Sequence, residues 1–388
     1  MPGTKILVAP NSFKGGLDAW SIAPLIERGL FFGSRIIGVP VSTELIPVSD
    51  GGTGFRRVIC QAYTAKRDDA VDVSHPFRGR RSGVVSFVDG KTAVIESAEF
   101  IGLALIPSEH RNPLGTSSFP LGEAIRHAIE QGADRIVIGG GDSATCDAGI
   151  GLMAALGARI FDEQSNLIEF PTGRDIARVS RVDLSDCLLP KYDGRIELAC
   201  NLTSIAAGPG GTGRVYARQK GASENEAQEL ANSIDRLAEL LVSISSKNDQ
   251  SRLPGSGSAG GIALPLMTFA NKCDPRYSFE LTFEALSIDS KLDWADIVIT
   301  GEGAFDKNSI KGKAPVALAQ RAKLHDCMTI ALVGSIEQGI TSRLLRSGLD
   351  CVEPLSDTDI SIESYMKNAE RLIIEATVRA FLKVFLNA

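Results

Sequence analysis

The sequence predicts an α/β protein in which one discontinuous domain carries an inserted domain. Short apolar runs that suit buried parallel strands occur towards both ends of the chain, each followed by a polar, glycine-containing segment and a helical pattern. Between them, residues 71–106 alternate and turn about every eight to twelve residues, which is typical of antiparallel strands. We expect residues 1–70 plus 285–388 to form one domain and 71–284 the insertion, with a cleft where they meet. The unit at 120–157 fits either domain.

Composition and charge exclude several classes of function. A net charge of −6 offers no basic surface for nucleic acid. Seven cysteines without a C-x-x-C pair, together with four histidines, indicate reduced thiols and argue against a zinc site. From the opening residues we expect no signal peptide, and the sequence contains no apolar run long enough to span a membrane. We therefore expect a cytoplasmic protein whose partners are small molecules, with no nucleic acid and no membrane among them, and we leave a homodimer open.

The chain opens with a predicted strand at residues 5–9, a polar segment and a helix. Asp18 suits the N-cap of that helix, whose apolar residues recur at helical spacing. The polar segment contains Ser12 and Lys14. Lys14 is placed where an ammonium could contact a phosphate oxygen, although a surface lysine is an equally good interpretation.

The strongest local signal is the stretch 136–157, IVIGGGDSATCDAGIGLMAALG. It predicts a buried strand, a glycine turn and a helix, an arrangement that directs backbone N–H groups at an anion. Ser143 and Asp147 add a hydroxyl and a carboxylate to that turn. A second glycine turn, at 49–54, follows another predicted strand and carries Asp50.

The glycine turn permits more than one interpretation. Gly139, Gly141 and Ala144 match a G-x-G-x-x-A dinucleotide fingerprint, with Asp162 as the distant ribose-binding acid. The turn carries more carboxylate and hydroxyl than a pyrophosphate needs, so a phosphate- or metal-linked site is favoured. A purely structural strand–helix turn remains an alternative.

Three further segments place polar groups ahead of helices. Residues 111–118 precede a predicted helix that ends at Gly132. A strand at 196–200 leads to Asn201, and Ser223 with Glu226 forms a capping box for a later helix. The glycine- and serine-rich run at 255–261 has the composition of a linker, but it passes abruptly into an apolar segment and predicts entry into a helix.

The last third returns to alternating strands and helices. A strand at 297–299 is followed by the polar segment 300–306, and Lys313 stands at the start of a helix. The pair Gly312-Lys313 is not a Walker A motif, because Ala314 lacks the metal-binding hydroxyl. One more strand at 329–333 and a long closing helix from Ile362 to Leu386 complete the pattern.

These motifs resemble those of the type I bacterial glycerate kinases over nearly the whole chain and in the same order. The resemblance runs through APNSFKGGL, PVSDGGTG, VIESAEFIGLALIP, RNPLGTSS, GGGDSATCDAGIGLMAALGA, QKGA, GSGSAGGIAL, DIVITGEGAFDKNSIKGKAP and ALVGS. It implies ATP- and Mg²⁺-dependent phosphorylation of D-glycerate, usually at the 2-hydroxyl. It also implies a Rossmann-like parallel-sheet domain with an inserted α+β domain.

Phosphoryl transfer needs cations on the phosphates and carboxylates that hold magnesium or orient the attacking hydroxyl. Under the resemblance, the candidate catalytic residues are Asp147, Asp50 and Lys14. The candidate substrate-binding residues are Ser12, Arg111, Asn112, Thr116, Ser143, Asn201 and Lys220. The candidate nucleotide-binding residues are Gly301, Glu302, Gly303, Asp306 and Lys313, with Glu302 and Asp306 also the candidate Mg²⁺ ligands. Carboxylates that merely cap helices are a competing interpretation of each.

Five positions depart from the family pattern: Asn11, Thr53, Cys146, Asn201 and Ala304 stand where it usually has Asp, Glu, Asn, Asp and Arg. An Asp-to-Asn change removes a base or a metal ligand, and loss of an arginine removes a bidentate anion contact. Three hypotheses follow. The chain is a kinase for glycerate or a related hydroxy acid or polyol, a non-catalytic ligand-binding member of the family, or a nucleotide-dependent oxidoreductase.

Overall fold

The computed structural model describes residues 3–13, 17–306, 309, 313–356 and 362–386. The chain packs as two compact units, residues 1–50 with 279–388 (the first unit) and residues 51–278 (the second unit). Within the described ranges, no helix is both long enough and apolar enough to cross a bilayer.

Strands and helices alternate along most of the chain. The strands are β1 Thr4–Val8, β2 Val41–Leu45, β3 Lys66–Ser74, β4 Arg80–Val88, β5 Thr92–Glu96, β6 Arg135–Gly139, β7 Arg159–Asp162, β8 Val179–Asp183, β9 Arg195–Cys200, β10 Lys272–Tyr277, β11 Ile297–Phe305, β12 Met328–Ile336 and β13 Cys351–Pro354. The α-helices are α1 Ala19–Ile37, α2 Phe55–Cys60, α3 Ser97–Ile101, α4 Phe119–Glu130, α5 Ile150–Ala155, α6 Thr212–Tyr216, α7 Glu224–Ser243, α8 Ser258–Gly261, α9 Ala263–Phe269, α10 Ser278–Ala285, α11 Ile288–Leu292, α12 Ala314–Lys323, α13 Thr341–Arg346 and α14 Ile362–Leu386.

The first unit is built on a parallel five-stranded sheet in the order β13-β12-β11-β1-β2. From β1 the chain steps to β2 on one side, and later to β11, β12 and β13 on the other, which is a common doubly wound strand order. The direction of winding changes between β1 and β11. In such open sheets, ligands bind outside the carboxyl ends of the strands at this switch point. The predicted α/β class is confirmed.

Helix α1 covers this sheet together with α14. Asp18 accepts a hydrogen bond from the backbone N–H of Ser21 at 2.8 Å, which confirms the predicted N-cap. The buried face of α1 includes Ile22 and Ile26, which belong to one apolar core with Ile373 and Phe381 of α14. At the amino end of α1, the N–H of Ala19 donates to the hydroxyl of Ser12 at 3.3 Å, which joins the helix to the segment that follows β1.

The second unit contains a mixed six-stranded sheet in the order β10-β9-β6-β5-β4-β3. The antiparallel strands predicted within residues 71–106 are β3, β4 and β5. The neighbouring strands β5, β6, β9 and β10 run parallel, and β7 with β8 forms a separate hairpin. The segment 120–157, which fitted either domain by sequence, contributes α4, β6 and α5 to this unit.

The compact units differ from the predicted boundaries at residues 51–70 and 279–284. Strand β3 begins at Lys66, and the charged, exposed residues at its start hide the alternation that marks a strand. Arg56 of α2 donates its backbone N–H to Glu96 at 3.1 Å, which ties that helix to β5. Thr282 donates its hydroxyl to the carbonyl of Ser49 at 3.1 Å, within the first unit.

Candidate functional site

The turn after β6 packs backbone to backbone against the glycine turn that follows Asp50 in sequence. The N–H of Gly141 donates to the carbonyl of Gly51 at 2.9 Å, and a Cβ on Gly141 would lie 2.5 Å from the Cα of Gly52. Asp142 accepts a hydrogen bond from the N–H of Thr53 at 3.0 Å. Glycine is required at Gly141 because any side chain would separate the two turns.

Asp147 lies in the segment between β6 and α5 of the second unit and is fully buried. Its carboxylate accepts hydrogen bonds from the N–H and the hydroxyl of Ser118, both at 2.7 Å, and from the N–H groups of Gly149 at 3.2 Å and Gly151 at 3.3 Å. Burial nevertheless raises the pKa of this carboxyl, because loss of solvation outweighs the donors. Asp147 therefore joins the start of α4 to the start of α5, and its predicted catalytic role stays a prediction.

Lys220 carries its ammonium into the same turn and is 6 % exposed. Its Nζ donates to the hydroxyl of Ser143 at 2.9 Å and to the carbonyl of Thr145 at 2.7 Å. In the described part of the chain its acceptors are thus neutral oxygens and not carboxylates. A buried ammonium without a counter-anion is costly, so this position favours an anionic ligand.

The loop of Arg111 contacts the turn that follows Lys220. A Cβ on Gly221 would lie 1.9 Å from the carbonyl oxygen of Arg111, so the two backbones touch. Arg111 itself is exposed and donates its Nε to the carbonyl of Ile106 at 3.2 Å. The structure therefore brings the predicted residues Arg111, Ser143 and Lys220 into adjoining loops.

Other predicted substrate-binding residues make local hydrogen bonds. Asn112 accepts from the N–H of Leu114 at 2.9 Å and donates to Glu226 at 3.0 Å. Thr116 is buried and donates to the carbonyl of Ala144 at 3.2 Å. These contacts shape the loops around Lys220 and leave substrate contact by these two side chains a prediction.

Asn201 follows β9, and its side chain hydrogen-bonds to a residue two positions further along the chain. Its Oδ1 accepts hydrogen bonds from the N–H of Thr203 at 3.0 Å and from the Thr203 hydroxyl at 2.9 Å. The backbone carbonyl of Asn201 accepts from Ser258 at 3.3 Å, at the start of α8. Substrate contact by Asn201 stays a prediction.

The glycine-rich run before α9 has a role that the sequence did not reveal. Gly260 has a φ of +80° and a Cβ there would lie 1.8 Å from the carbonyl oxygen of Thr145. Its own carbonyl accepts the N–H of Ala148 at 3.0 Å. The same Thr145 carbonyl accepts a hydrogen bond from Nζ of Lys220, so the packing of Gly260 helps to position an acceptor of the ammonium.

In the first unit, the predicted nucleotide-binding residues lie at the end of β11. Glu302 is 2 % exposed and accepts the Nζ of Lys313 at 3.1 Å. Lys313 also lies 3.6 Å from Oδ1 of Asp306, whose carboxylate accepts the N–H of Ser309 at 2.8 Å. One ammonium thus faces two carboxylates beside the carboxyl edge of the sheet, so negative charge is in excess among these three groups.

The strand predicted at 297–299 is longer than the sequence indicated, because β11 takes in most of the polar segment 300–306. Gly301 and Gly303 are part of β11, which continues to Phe305 and pairs with β12. Glu302 is paired with Val333 and Ala304 with Ser335. Pairing with a parallel neighbour keeps this segment extended, so it is not a glycine-rich phosphate loop.

The end of β1 lies beside β11. The N–H of Asn11 donates to the carbonyl of Gly301 at 3.0 Å, and Ser12 accepts the N–H of Ala19 at 3.3 Å through its hydroxyl. Lys14, a predicted catalytic residue, lies outside the described residues. Asp50 is half-buried in the first unit, and its predicted catalytic role stays a prediction.

The donor set at β11 fits a magnesium ion that is shared with phosphates. Within the described residues, no three His, Cys, Asp or Glu side chains come close enough to enclose a metal. Mg²⁺ usually keeps several waters and takes one or two carboxylates together with substrate phosphates. Glu302 and Asp306 meet that requirement, with Asp306 46 % exposed at its side chain.

The dinucleotide-binding interpretation requires Asp162 to bind a ribose, and the structure does not leave this side chain available. Asp162 is 3 % exposed and accepts hydrogen bonds from the N–H groups of Gln164 at 3.0 Å and Asn166 at 2.8 Å. It therefore closes the loop after β7 and is not available to a ribose.

Comparison with known proteins gives a consistent result. Residues 6–385 match the model of the Glycerate kinase family. The chain is 34 % identical to a glycerate kinase of Bacillus cereus, over 95 % of each protein. It is 36 % identical to a glycerate 2-kinase of Escherichia coli K12, over 90 % of this chain and 89 % of that one. The crystal structure of a protein described as a glycerate kinase 2 from Salmonella typhimurium LT2 matches with a TM-score of 0.78 at 33 % identity, over 99 % of each chain.

Proposed function

The chain belongs to the glycerate kinase family, and from that membership we propose that it transfers the γ-phosphoryl group of ATP to a hydroxyl of D-glycerate. The likeness to a glycerate 2-kinase supports the 2-hydroxyl as the acceptor. The observation within this chain that carries the proposal is the buried ammonium of Lys220, which hydrogen-bonds neutral oxygens.

We assign the acid group of the acceptor to Lys220. A carboxylate would give the buried ammonium the counter-anion that Ser143 and Thr145 do not provide. Arg111, in the adjoining loop, donates only its Nε to an acceptor in the described residues and suits a second contact to the same acid. A neutral polyol would leave the ammonium uncompensated, so we expect hydroxy acids to be preferred.

We assign the nucleotide phosphates to the edge of the sheet at β11. Mg²⁺, when bound by Glu302 and Asp306, would neutralise charge on the transferring phosphates. Lys313 lies within reach of both carboxylates and is 28 % exposed at its side chain, so its ammonium can also contact a phosphate oxygen. Gly301 and Gly303 lie in β11, so any contact that they make with the nucleotide would come from the backbone of that strand.

A changed acceptor is the second candidate, because of two substituted positions. Ala304 is exposed on β11 and offers no cation, and the carboxamide oxygen of Asn201 already accepts two hydrogen bonds from Thr203. If these positions contact the acceptor in relatives, this chain would accept another small hydroxy acid in preference to glycerate.

The proposal is tested by steady-state kinetics with D-glycerate, other hydroxy acids and glycerol. We expect Lys220→Met to raise the KM for the acid about 10- to 100-fold, the loss expected for a hydrogen bond to a charged group. The matched control is Lys247→Met, because Lys247 donates to the carbonyls of Met267 and Ala270 and is half-buried. Equal KM values for both variants and the wild type would remove Lys220 from the acceptor site.

The compartment and the assembly are also proposals. All seven cysteines are free thiols, which suits the reducing, ATP-containing cytoplasm. A homodimer is proposed without an assigned interface, and the molar mass in solution tests it.

A further inference from the structure

Asn11 holds a buried donor that the described part of the chain leaves without an acceptor. The residue is 2 % exposed, and its Oδ1 accepts the N–H of Ser12 at 2.8 Å. That bond fixes the orientation of the carboxamide, because a flipped amide would set two donors against each other. The Nδ2 atom is then buried with no acceptor among the described residues.

Asn11 lies where this fold binds ligands. Its N–H continues the hydrogen bonding between β1 and β11, and the carbonyl of Pro10 accepts the N–H of Val48 at 3.0 Å. It therefore stands at the carboxyl edge of the sheet, at the switch point between β1 and β11. Its neighbour Ser12 accepts from Ala19, the first residue of a 19-residue helix, so the amino end of that helix, where the helix dipole is positive, lies close by.

We propose that Nδ2 of Asn11 donates to an anionic oxygen of the nucleotide phosphates and so determines the preference of this edge for a phosphorylated ligand. A group that can only donate, placed beside a positive helix end, selects a phosphate oxygen over a further cation. The inference rests on the proposed function, since it names a contact of the nucleotide. It adds Asn11 to the edge formed by Glu302, Asp306 and Lys313.

The experiment is calorimetric titration of ADP, of adenosine and of inorganic phosphate, each with Mg²⁺, into the wild type and three variants. Asn11→Leu keeps a similar size without the donor, Asn11→Ser keeps a smaller donor, and Asn11→Asp places an acceptor-only charge near the phosphates. Asn248→Asp, in an exposed loop of the second unit, is the control for the same chemical change.

We expect Asn11→Leu to weaken ADP binding roughly 10- to 100-fold, as for loss of a hydrogen bond to a charged group. Asn11→Asp, which lacks the donor as well, should also weaken it and Asn11→Ser should weaken it less, whereas Asn248→Asp and all adenosine affinities should stay unchanged. Weakening of inorganic phosphate in parallel with ADP supports the phosphate contact. Thermal melts confirm that each variant is folded.

Equal ADP affinities for Asn11→Leu and the wild type would overturn the inference. So would equal losses for ADP and adenosine, which would mean that Asn11 shapes the edge of the sheet without contacting phosphate. A change confined to the KM for D-glycerate would place the contact on the acceptor instead and would also overturn it. This inference and the proposed function can fail separately. If ADP binding depends on Asn11 but glycerate is not phosphorylated, the inference holds and the kinase proposal fails.

Discussion

The two units place polar side chains at the ends of their strands in different ways. In the second unit, Asp147 is fully buried and its carboxylate accepts four hydrogen bonds from Ser118, Gly149 and Gly151. In the first unit, the amide of Asn11 has a donor without a described acceptor, and Lys313 is partly exposed. A carboxylate at a strand end therefore does not identify an active site by itself.

Whether a buried polar group already has its hydrogen-bond partners distinguishes groups that stabilise the fold from groups that are suited to bind a ligand. A buried acceptor that is saturated by backbone donors stabilises its loops and offers nothing to a substrate. A buried donor or cation that lacks an anionic partner carries a cost that a ligand can relieve. By this criterion we expect Lys220 and Asn11 to contact ligands, and we expect Asp147 mainly to hold its loops in place.

The largest expected effect is on stability, from Asp147→Ala. The change leaves several buried donors of Ser118 and its neighbours without an acceptor, at about 1–3 kcal/mol each. We expect the free energy of unfolding, measured with urea, to fall by about 4 kcal/mol or more. Asp134→Ala removes an exposed partner of Lys91 and should cost less than about 1 kcal/mol. A stable Asp147→Ala protein that binds both substrates but has lost turnover would instead make Asp147 catalytic.

The second effect distinguishes backbone strain from close packing. Gly260 and Gly132 share a φ of +80°, but a Cβ would lie 1.8 Å from the Thr145 carbonyl oxygen at Gly260 and would meet nothing within 4 Å at Gly132. Gly132→Ala should cost about 1–2 kcal/mol for the left-handed conformation alone. Gly260→Ala should cost more and should also raise the KM for the acid, because Lys220 donates to the displaced carbonyl. Equal melting temperatures for the two variants would contradict this.

The third effect falls on turnover. Glu302→Gln keeps the shape and still accepts from Lys313, so we expect a stability change of about 1 kcal/mol or less and a loss in kcat of about 100-fold or more. Glu197→Gln is the matched control, because Glu197 of β9 is a buried carboxylate that pairs with Arg135 of β6 and Arg195 of β9. That control should lose stability and keep its kcat. An unchanged kcat for Glu302→Gln together with a reduced kcat for Glu197→Gln would show that Glu302 is not part of the nucleotide site.

The smallest effect is on pH dependence. The raised pKa of the Asp147 carboxyl means that the folded state binds its proton more tightly than the unfolded chain, where the usual value is 3.8. The free energy of unfolding should therefore fall as pH rises from about 4 through the folded-state pKa. Asp147→Asn removes this titration. Urea unfolding at a series of pH values should show a flatter dependence for the variant, and an identical slope would show that Asp147 does not titrate differently in the two states.

Local signals in the sequence predicted local structure well. The capping box of Ser223 and Glu226 and the closing helix from Ile362 to Leu386 are found as expected, because caps and helical periodicity depend on residues a few positions apart. The glycine run before α9 enters a helix as predicted.

Long-range pairing could not be predicted in the same way. The segment containing Gly301 and Gly303 has the composition of a turn, and only its pairing with β12 keeps it extended. The state of Asp147 depends on Ser118, 29 positions away, and no spacing rule links the two. The missing acceptor of Asn11 is a property of the packed structure alone.

The most direct test of the central claim is ADP release from ATP and Mg²⁺ by the wild-type protein with and without D-glycerate, with identification of the phosphorylated product. We predict glycerate-dependent release in the ordinary range of about 1–1,000 per second, with 2-phosphoglycerate as the product. If ADP binds but neither D-glycerate nor any related hydroxy acid stimulates its release from ATP, the chain is a non-catalytic member of the family and the kinase proposal is contradicted.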